Sequence, residues 1–86
     1  MKVVFHKYFE RQYAKLPTKI REKFKERRNL FLQDAFTPVL NNHALTGKYL
    51  GYRSIDIAGD LRAIFRQTDE ATIMFVNIGT HSQLYG

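Results

Sequence analysis

The chain has 86 residues, of which 44% are hydrophobic and 14% aromatic. This length predicts a single domain over residues 1–86 with a small core, because a domain of this size buries only about 60% of the surface of its unfolded chain. The lack of cysteine excludes disulfides, a thiol nucleophile and thiolate metal ligands. The longest apolar run, residues 73–76, is too short to cross a membrane, and the first residues do not resemble a signal peptide. We therefore expect a small cytoplasmic protein with no membrane partner.

Positive charge is concentrated in the first part of the chain. The net charge is +6, and residues 1–34 hold ten of the 14 Lys and Arg but only four of the eight Asp and Glu. Residues 35–86 are neutral overall, with four charges of each sign. This asymmetry favours a polyanionic partner, either a nucleic acid or an acidic protein segment. A solvated basic helix surface would explain the same composition and stays open as the alternative.

The first half of the chain predicts one strand and two helices. Residues 3–5 favour a β-strand. Apolar residues then recur at spacings of three and four, which is typical of one helix face: Phe9, Tyr13, Leu16, Ile20 and Phe24. Pro17 interrupts this stripe because proline disfavours helical geometry in the residue before it and can itself begin a helix. We expect helices over residues 7–15 and 18–33, joined as a helical hairpin.

The second half predicts a loop and an antiparallel meander. Residues 34–48 are rich in turn formers. Three strands joined by two short turns follow: strands 52–57, 61–67 and 72–78, with turns at 58–60 and 68–70. The sequence does not decide whether the closing segment, which begins at residues 79–82, is irregular or helical. The fold class is therefore α+β, with a helical hairpin packed on a small, mainly antiparallel sheet in the order β-α-α-β-β-β.

Among the three histidines, His81 is the best candidate for chemistry. It comes shortly after an apolar strand, and an imidazole at the end of a rigid strand is well placed for proton transfer. His6, at the end of the first strand, is assigned no role. No two histidines have the helical spacing of metal ligands, and cysteine is absent, so we predict no metal site.

Basic residues of the meander and its approach loop are candidates for phosphate binding. Arg62 and Arg66 share one side of their strand because side chains alternate, and two guanidinium groups on one face can engage successive phosphates. Arg53 lies on the neighbouring strand, and its face stays open without a register. Lys48 and Tyr49 offer an amine to a phosphate and a ring to a base. Walker-type, GxGxxG and GxSxG motifs are absent, which disfavours triphosphate, dinucleotide and serine hydrolase sites.

Four short motifs together resemble one protein superfamily. They are HALTG at 43–47, GYRS at 51–54, GDLRAIF at 59–65 and IGTHSQLY at 78–85. This ordered set, with the predicted element order, resembles the RelE/ParE toxins, and the last motif is similar to their YafQ-like branch. The resemblance covers nearly the whole chain. It implies the toxin of a type II toxin–antitoxin system, which cuts messenger RNA on the ribosome, inhibits translation and is held inactive by a cognate antitoxin protein.

The resemblance also implies roles for individual positions. The loop histidine of the YafQ-like pattern corresponds to His43, the hairpin aspartate to Asp60, the C-terminal histidine to His81 and the terminal aromatic residue to Tyr85. The implied reaction is an attack of the ribose 2′-hydroxyl on the adjacent phosphate, without a metal or other cofactor. His81 is then the general acid, His43 a second proton carrier, Asp60 a base or an orienting group, and Tyr85 a stacking or hydrogen-bonding residue.

Two positions depart from the YafQ-like pattern. Asp56 stands where the pattern has a further histidine, and Leu61 stands where it has a tryptophan. RelE-like relatives use arginines and lysines instead, which implies such roles for Arg53, Arg62 and Lys48. In the scheme that we adopt, Arg62 and Arg53 stabilise the charge on phosphorus.

Two other functions stay open from the sequence. A ParE-like inhibitor of DNA gyrase would have the same fold and a protein target. A basic RNA-binding module would have no toxicity. The pair His43 and His81, with Tyr85, favours the ribonuclease because a gyrase inhibitor has no need of titrating groups.

Overall fold

Three helices pack on a five-stranded sheet in the computed structural model, which describes residues 1–85. The strands are β1 (Lys2–Phe5), β2 (His43–Ala44), β3 (Arg53–Ala58), β4 (Leu61–Asp69) and β5 (Thr72–Thr80). The helices are α1 (Lys7–Ala14), α2 (Thr18–Gln33) and α3 (His81–Tyr85), and short 3-10 helices span Pro38–Leu40 and Gly47–Tyr49. The predicted α+β class, with its helical hairpin and three-stranded meander, is confirmed.

The sheet has the strand order β1-β5-β4-β3-β2. β1 runs parallel to β5, and the other neighbouring strands are antiparallel. A parallel pair needs a long connection, which the helices and the rest of the meander supply here. Gly59 supports the tight turn between β3 and β4 with a φ of 53°, a left-handed value that glycine adopts without strain. The meander therefore occupies the centre of the sheet.

Two details of the sheet differ from the sequence predictions. β2 lies in the region predicted as a loop and pairs with β3 through His43 opposite Ser54. The turn between β4 and β5 is shorter than predicted because Thr68 and Asp69 continue β4. The Asp69 carboxylate accepts the Ala71 N–H at 2.8 Å, which stabilises the short turn. This hydrogen bond is the main reason that the pKa of Asp69 lies below its usual value.

Local hydrogen bonds stabilise the start of the helical hairpin and join its two helices. His6 precedes α1, and its Nδ1 accepts the Tyr8 N–H at 3.0 Å, which satisfies one of the free N–H groups of the first turn. Pro17 directly precedes α2, as the pattern predicts. The Tyr13 hydroxyl donates to the carbonyl oxygen of Arg21 at 2.9 Å and ties the two helices together.

An aromatic cluster fills the space between the hairpin and the sheet. Phe9 of α1, Phe24 of α2 and Phe75 of β5 are all buried. The ring centroids of Phe9 and Phe24 are 5.3 Å apart, and each ring also contacts Phe75, at 5.7 and 5.3 Å respectively. Burial of one such side chain contributes about 1.5–3 kcal/mol. The helices α1 and α2 are thus fixed to one face of the sheet, and they do not cover the other face.

Candidate active site on the outer face of the sheet

The sheet face that points away from α1 and α2 is here called the outer face. Its buried apolar residues form a small cluster separate from the main core: Leu45, Ile64 and Leu84. Along β4, Ala63 and Phe65 join the main core. Because side chains alternate, Arg62 and Arg66 lie on the outer face, on either side of Ile64.

Arg62 has an acidic neighbour on the adjacent strand. Asp56 lies opposite Arg62 in the register of β3 and β4, and Asp56 Oδ1 is 3.5 Å from Arg62 Nε. This distance allows an ion pair, but these two atoms make no hydrogen bond. The exposed fraction is 29% for the Arg62 side chain and 34% for that of Asp56. Both side chains are therefore partly open to solvent, although Asp56 Oδ1 and Arg62 Nε are themselves buried.

The closing segment forms the short helix α3, and His81 is its first residue. Thr80 and Gln83 cap the helix reciprocally: the Gln83 N–H donates to Thr80 Oγ1 at 3.3 Å, and the Thr80 N–H donates to Gln83 Oε1 at 2.8 Å. Gly79 permits this close return, since a Cβ there would lie 3.0 Å from Gln83 Oε1. Leu84, only 1% exposed, anchors α3 on the outer face.

Three further candidate residues lie around His81. The backbone N–H of His81 donates to Asp60 Oδ2 at 3.3 Å. The rings of His81 and Tyr85, which lie one helical turn apart, have centroids 4.8 Å apart. Arg62 lies opposite Gly79, two residues before His81, and its charge acts on the Tyr85 phenol. The structure thus brings Asp60, Arg62, His81 and Tyr85 together.

The Tyr85 phenol is neutral at ordinary pH. Burial raises its pKa above the usual value of 10.0, and neighbouring Tyr49 raises it further. The positive charge of Arg62 acts in the opposite direction but is outweighed by the burial. A neutral phenol can donate a hydrogen bond, so Tyr85 is suited to donating or stacking and is not a base.

His43 reaches the outer face from the edge strand β2. It lies opposite Ser54, which is two residues before Asp56 on the same face of β3. His43 Nδ1 is 2.7 Å from the carbonyl oxygen of Asn41. Because a carbonyl only accepts, Nδ1 carries the hydrogen in the neutral ring and Nε2 is an acceptor. This tautomer leaves Nε2 available to take a proton.

Arg53 does not join this group. The register places it opposite Phe65, so it lies on the helix side of the sheet. Its Nε donates to Asn42 Oδ1 at 2.8 Å, and its guanidinium lies 5.4 Å from the ring centroid of Phe36. The sequence did not decide the face of Arg53. The structure places it on the helix side of the sheet, whereas Arg62 and Arg66 lie on the outer face.

Lys48, Tyr49 and Arg66 line a groove of about 440 Å³ on the outer face. Tyr49 also contacts Tyr85, with ring centroids 5.6 Å apart, so the groove begins beside the His81 group. The sequence prediction missed the other lining residues: His6, Tyr8, Tyr52, Met74, Val76 and Asn77. Tyr52 lies within one of the four motifs and could have been found. His6 and Tyr8 reach the groove only through the tertiary fold.

Solved structures with this architecture define the class of protein. The YafQ structure from E. coli superposes with a TM-score of 0.79 at 24% identity, over 99% of this chain and 98% of that one. The YoeB/ParE toxin from Agrobacterium tumefaciens has a TM-score of 0.78 at 19% identity, over 94% and 99%. The E. coli DinJ–YafQ toxin–antitoxin complex has a TM-score of 0.75 at 26% identity, over 99% and 97%. The fold is that of the YafQ and YoeB/ParE-like toxins.

The family follows from the sequence itself. Residues 1–86 match the family described as "Bacterial toxin of type II toxin-antitoxin system, YafQ". The chain belongs to this family, which confirms the resemblance drawn from its motifs. No curated protein matches the chain significantly. Among residues 1–85, no helix has the length and apolar character needed to cross a membrane.

Proposed function

We propose that this toxin is a metal-independent endoribonuclease that cleaves messenger RNA at the ribosome and inhibits translation in the cytoplasm. The observation that carries the proposal is the convergence of Asp60, Arg62, His81 and Tyr85 at the start of α3. A histidine and an arginine in the same site can supply proton transfer and charge stabilisation, which phosphoryl chemistry without a metal requires. Membership of the YafQ toxin family supports the same function.

In the proposed reaction, the ribose 2′-oxygen attacks the adjacent phosphorus and the bond from phosphorus to the 5′-oxygen breaks. The proton of the 2′-hydroxyl passes to a base, and the leaving 5′-oxygen takes a proton from an acid. The products are a 2′,3′-cyclic phosphate and a 5′-hydroxyl. His81 is the acid, and His43, with its free Nε2, is the second proton carrier. Arg62 stabilises the charge that develops on phosphorus.

The remaining site residues position the substrate and the catalytic groups. Asp60 acts as an orienting residue, because its carboxylate accepts the His81 N–H at the start of α3. Tyr85 donates a hydrogen bond near the phosphate or stacks on a base. Lys48, Tyr49 and Arg66 bind neighbouring nucleotides in the groove. Arg53, which lies on the opposite face of the sheet, takes no part in the proposed reaction.

The two departures from the YafQ-like pattern are compatible with this scheme. Asp56, which stands in place of a histidine, pairs with Arg62. Leu61, which stands in place of a tryptophan, is 9% exposed and packs in the main core. Acid–base catalysis is therefore assigned to His81 and His43 alone.

The proposed protein partner is a cognate antitoxin. E. coli YafQ has been solved as a toxin–antitoxin complex with DinJ, and that YafQ superposes on this chain. The excess positive charge of residues 1–34 and the arginines of the outer face would suit an acidic antitoxin segment.

The test is to induce the protein in cells and map the 5′ ends of RNA. We expect new 5′-hydroxyl ends in messenger RNA and growth arrest. His81→Ala should abolish the arrest and lower the cleavage rate by about 10²–10⁴-fold, the usual contribution of one acid–base group. Ser82→Ala, at the exposed neighbour on α3, is the matched control and should cleave at the wild-type rate. Both variants should melt close to wild type, because the replaced side chains are exposed.

Other results would favour another function. If His81→Ala cleaves RNA at the full rate, the proposed mechanism is wrong. If the wild type makes no new RNA ends but inhibits DNA supercoiling by gyrase, the ParE-like function replaces it. If the wild type binds RNA and does neither, the protein is an RNA-binding module.

A further inference from the structure

The groove on the outer face joins parts of the chain that are far apart in sequence. His6 and Tyr8 come from the junction of β1 and α1, whereas Lys48, Tyr49 and Tyr52 come from the segment before β3, and Arg66 from β4. Met74 and Val76 of β5 add apolar lining. Val76 is an extra residue in the pairing of β4 with β5, since Ile64 lies opposite Asn77 and Phe65 opposite Phe75. This bulge breaks the regular alternation of β5 at the groove.

Aromatic rings form a continuous path from the catalytic group into the groove. Tyr85 contacts Tyr49 with ring centroids 5.6 Å apart, and Tyr49 contacts Tyr52 at 6.1 Å. The Tyr49 hydroxyl accepts a hydrogen bond from Asn77 Nδ2 at 3.3 Å, which fixes its ring over β5. Tyr8 lines the same groove and is 45% exposed, so its ring is accessible to a ligand.

The groove also provides positive charge and hydrogen-bond donors. Lys48 Nζ lies 5.4 Å from the centroid of Tyr49, and the Arg66 guanidinium lies 5.7 Å from that of Tyr52. His6 Nδ1 accepts the Tyr8 N–H, so the neutral His6 ring carries its hydrogen on Nε2, which is then a donor. A ligand in the groove can therefore contact aromatic faces, cationic side chains and a hydrogen-bond donor.

We propose that this groove binds the unpaired nucleotides next to the cleaved bond of single-stranded RNA. Bases stack on Tyr8 and Tyr52, Lys48 and Arg66 bind the phosphates, and His6 donates to a phosphate or base oxygen. Rings that alternate with cations are the usual surface for single-stranded nucleic acid, because every base has a face that can stack. The proposal rests on the proposed ribonuclease function. It adds His6, Tyr8 and Tyr52 to the substrate-binding residues.

The test measures binding separately from cleavage. The probe is a short fluorescent 2′-O-methyl RNA of mixed sequence, which lacks the nucleophilic hydroxyl, and its anisotropy reports binding. Tyr8→Ala should weaken binding about 5- to 150-fold, the usual effect of removing one stacking ring. Tyr8→Phe keeps the ring and should bind like wild type. Phe36→Ala, at an exposed ring that lies against Arg53, is the matched control and should leave binding unchanged.

Two further variants and one control keep the test informative if Tyr8→Ala does not fold. Arg66→Ala, at an exposed position, should reduce the dependence of log affinity on log salt by about 0.7, the value for one phosphate contact on a single strand. Arg11→Ala, at an exposed arginine of α1 away from the groove, should leave that slope unchanged. His6→Asn removes the imidazole but keeps a good helix cap, so it should weaken binding without melting the helix.

The results distinguish the groove from the nuclease. If Tyr8→Ala and Arg66→Ala fold and bind the RNA as tightly as wild type, the groove proposal is overturned, whether or not the wild type cleaves RNA. If both weaken binding while the wild type cleaves nothing, the groove is a site for single-stranded RNA but the proposed nuclease function is wrong. If the wild type itself does not bind the probe, the groove is not an RNA site.

Discussion

At the scale of single residues, the ion pair of Asp56 and Arg62 bears on the attraction of the proposed site for a phosphate. The side chains are partly exposed, but the nearest atoms, Asp56 Oδ1 and Arg62 Nε, are buried and make no hydrogen bond, so the cost of their desolvation offsets much of their attraction. Asp56 nevertheless places a negative charge beside the cation that the substrate must reach. In the proposed function, Asp56 therefore weakens the attraction for RNA more than it stabilises the fold.

We predict that Asp56→Asn binds RNA several-fold more tightly than wild type, with a change in the free energy of unfolding below about 1 kcal/mol. Glu70→Gln removes the same charge from the exposed turn between β4 and β5 and is the matched control. It should change affinity much less, because salt screens charges more than about 10 Å apart. Affinity for uncleavable RNA and chemical denaturation are the measurements. Weaker binding by Asp56→Asn would show instead that Asp56 is needed to hold Arg62 in place.

Tyr85 gives a prediction of pH dependence. Its pKa is raised in the folded state, chiefly by burial, from a usual value of 10.0. The contribution of this group to stability is therefore fully present below pH 10 and is lost as the pH rises through the higher folded-state pKa. Tyr85→Phe should lose less stability than wild type between neutral pH and pH above 10, as measured by chemical denaturation. Equal losses in the two proteins would contradict the assigned effect of burial.

The individual site residues could be predicted from the sequence only in part. Alternation along β4 is enough to place Arg62 and Arg66 on one face. The face of Arg53 depends on its pairing with β4, and that pairing shifts at an irregularity between Asp56 and Ala58 that has no local signal. The groove positions of His6 and Tyr8 depend on the parallel pairing of β1 with β5, which joins the two ends of the chain.

At the scale of elements, the start of α3 could have been predicted from the sequence. Thr80 and Gln83 have the spacing of a capping box, which predicts the start of a helix at His81. The long hairpin and the meander were predictable because their apolar patterns extend over many residues. Strand β2 was not predictable, because its two residues become a strand only by pairing with β3.

A helix as short as α3 is held by packing, since isolated helices of this length are unstable in water. We predict that Leu84→Ala lowers the free energy of unfolding by about 2–5 kcal/mol and lowers cleavage activity under conditions where the protein is still folded. The reason is that Leu84 anchors the helix that carries His81 and Tyr85. Leu50→Ala, at a leucine that is 75% exposed, is the control and should change stability by less than about 0.5 kcal/mol. Full activity in a folded Leu84→Ala protein would show that α3 need not be anchored.

At the scale of the whole molecule, the two sides of the sheet offer different surfaces to an antitoxin. The outer face presents Arg62 and Arg66 beside the proposed catalytic group. On the other side, a cavity of about 280 Å³ lies among the aromatic rings of the hairpin and has Lys25 and Arg28 in its lining. An acidic segment could bind either surface through charge-assisted hydrogen bonds, but only binding on the outer face would cover the arginine assigned to catalysis.

We therefore predict that the antitoxin binds the outer face. An antitoxin that binds only the folded toxin stabilises it, by about 2.7 kcal/mol at a hundredfold excess over Kd, so the complex should melt well above the free toxin. Changing Arg62 and Arg66 together to Glu should greatly weaken antitoxin binding and remove this rise in melting temperature. The charge-matched comparison changes Lys25 and Arg28 together to Glu and should bind the antitoxin nearly as wild type does. If the Arg62 and Arg66 double variant binds normally and the Lys25 and Arg28 double variant does not, the antitoxin covers the hairpin. Inhibition would then act at a distance from His81, because the hairpin and α3 lie on opposite faces of the sheet.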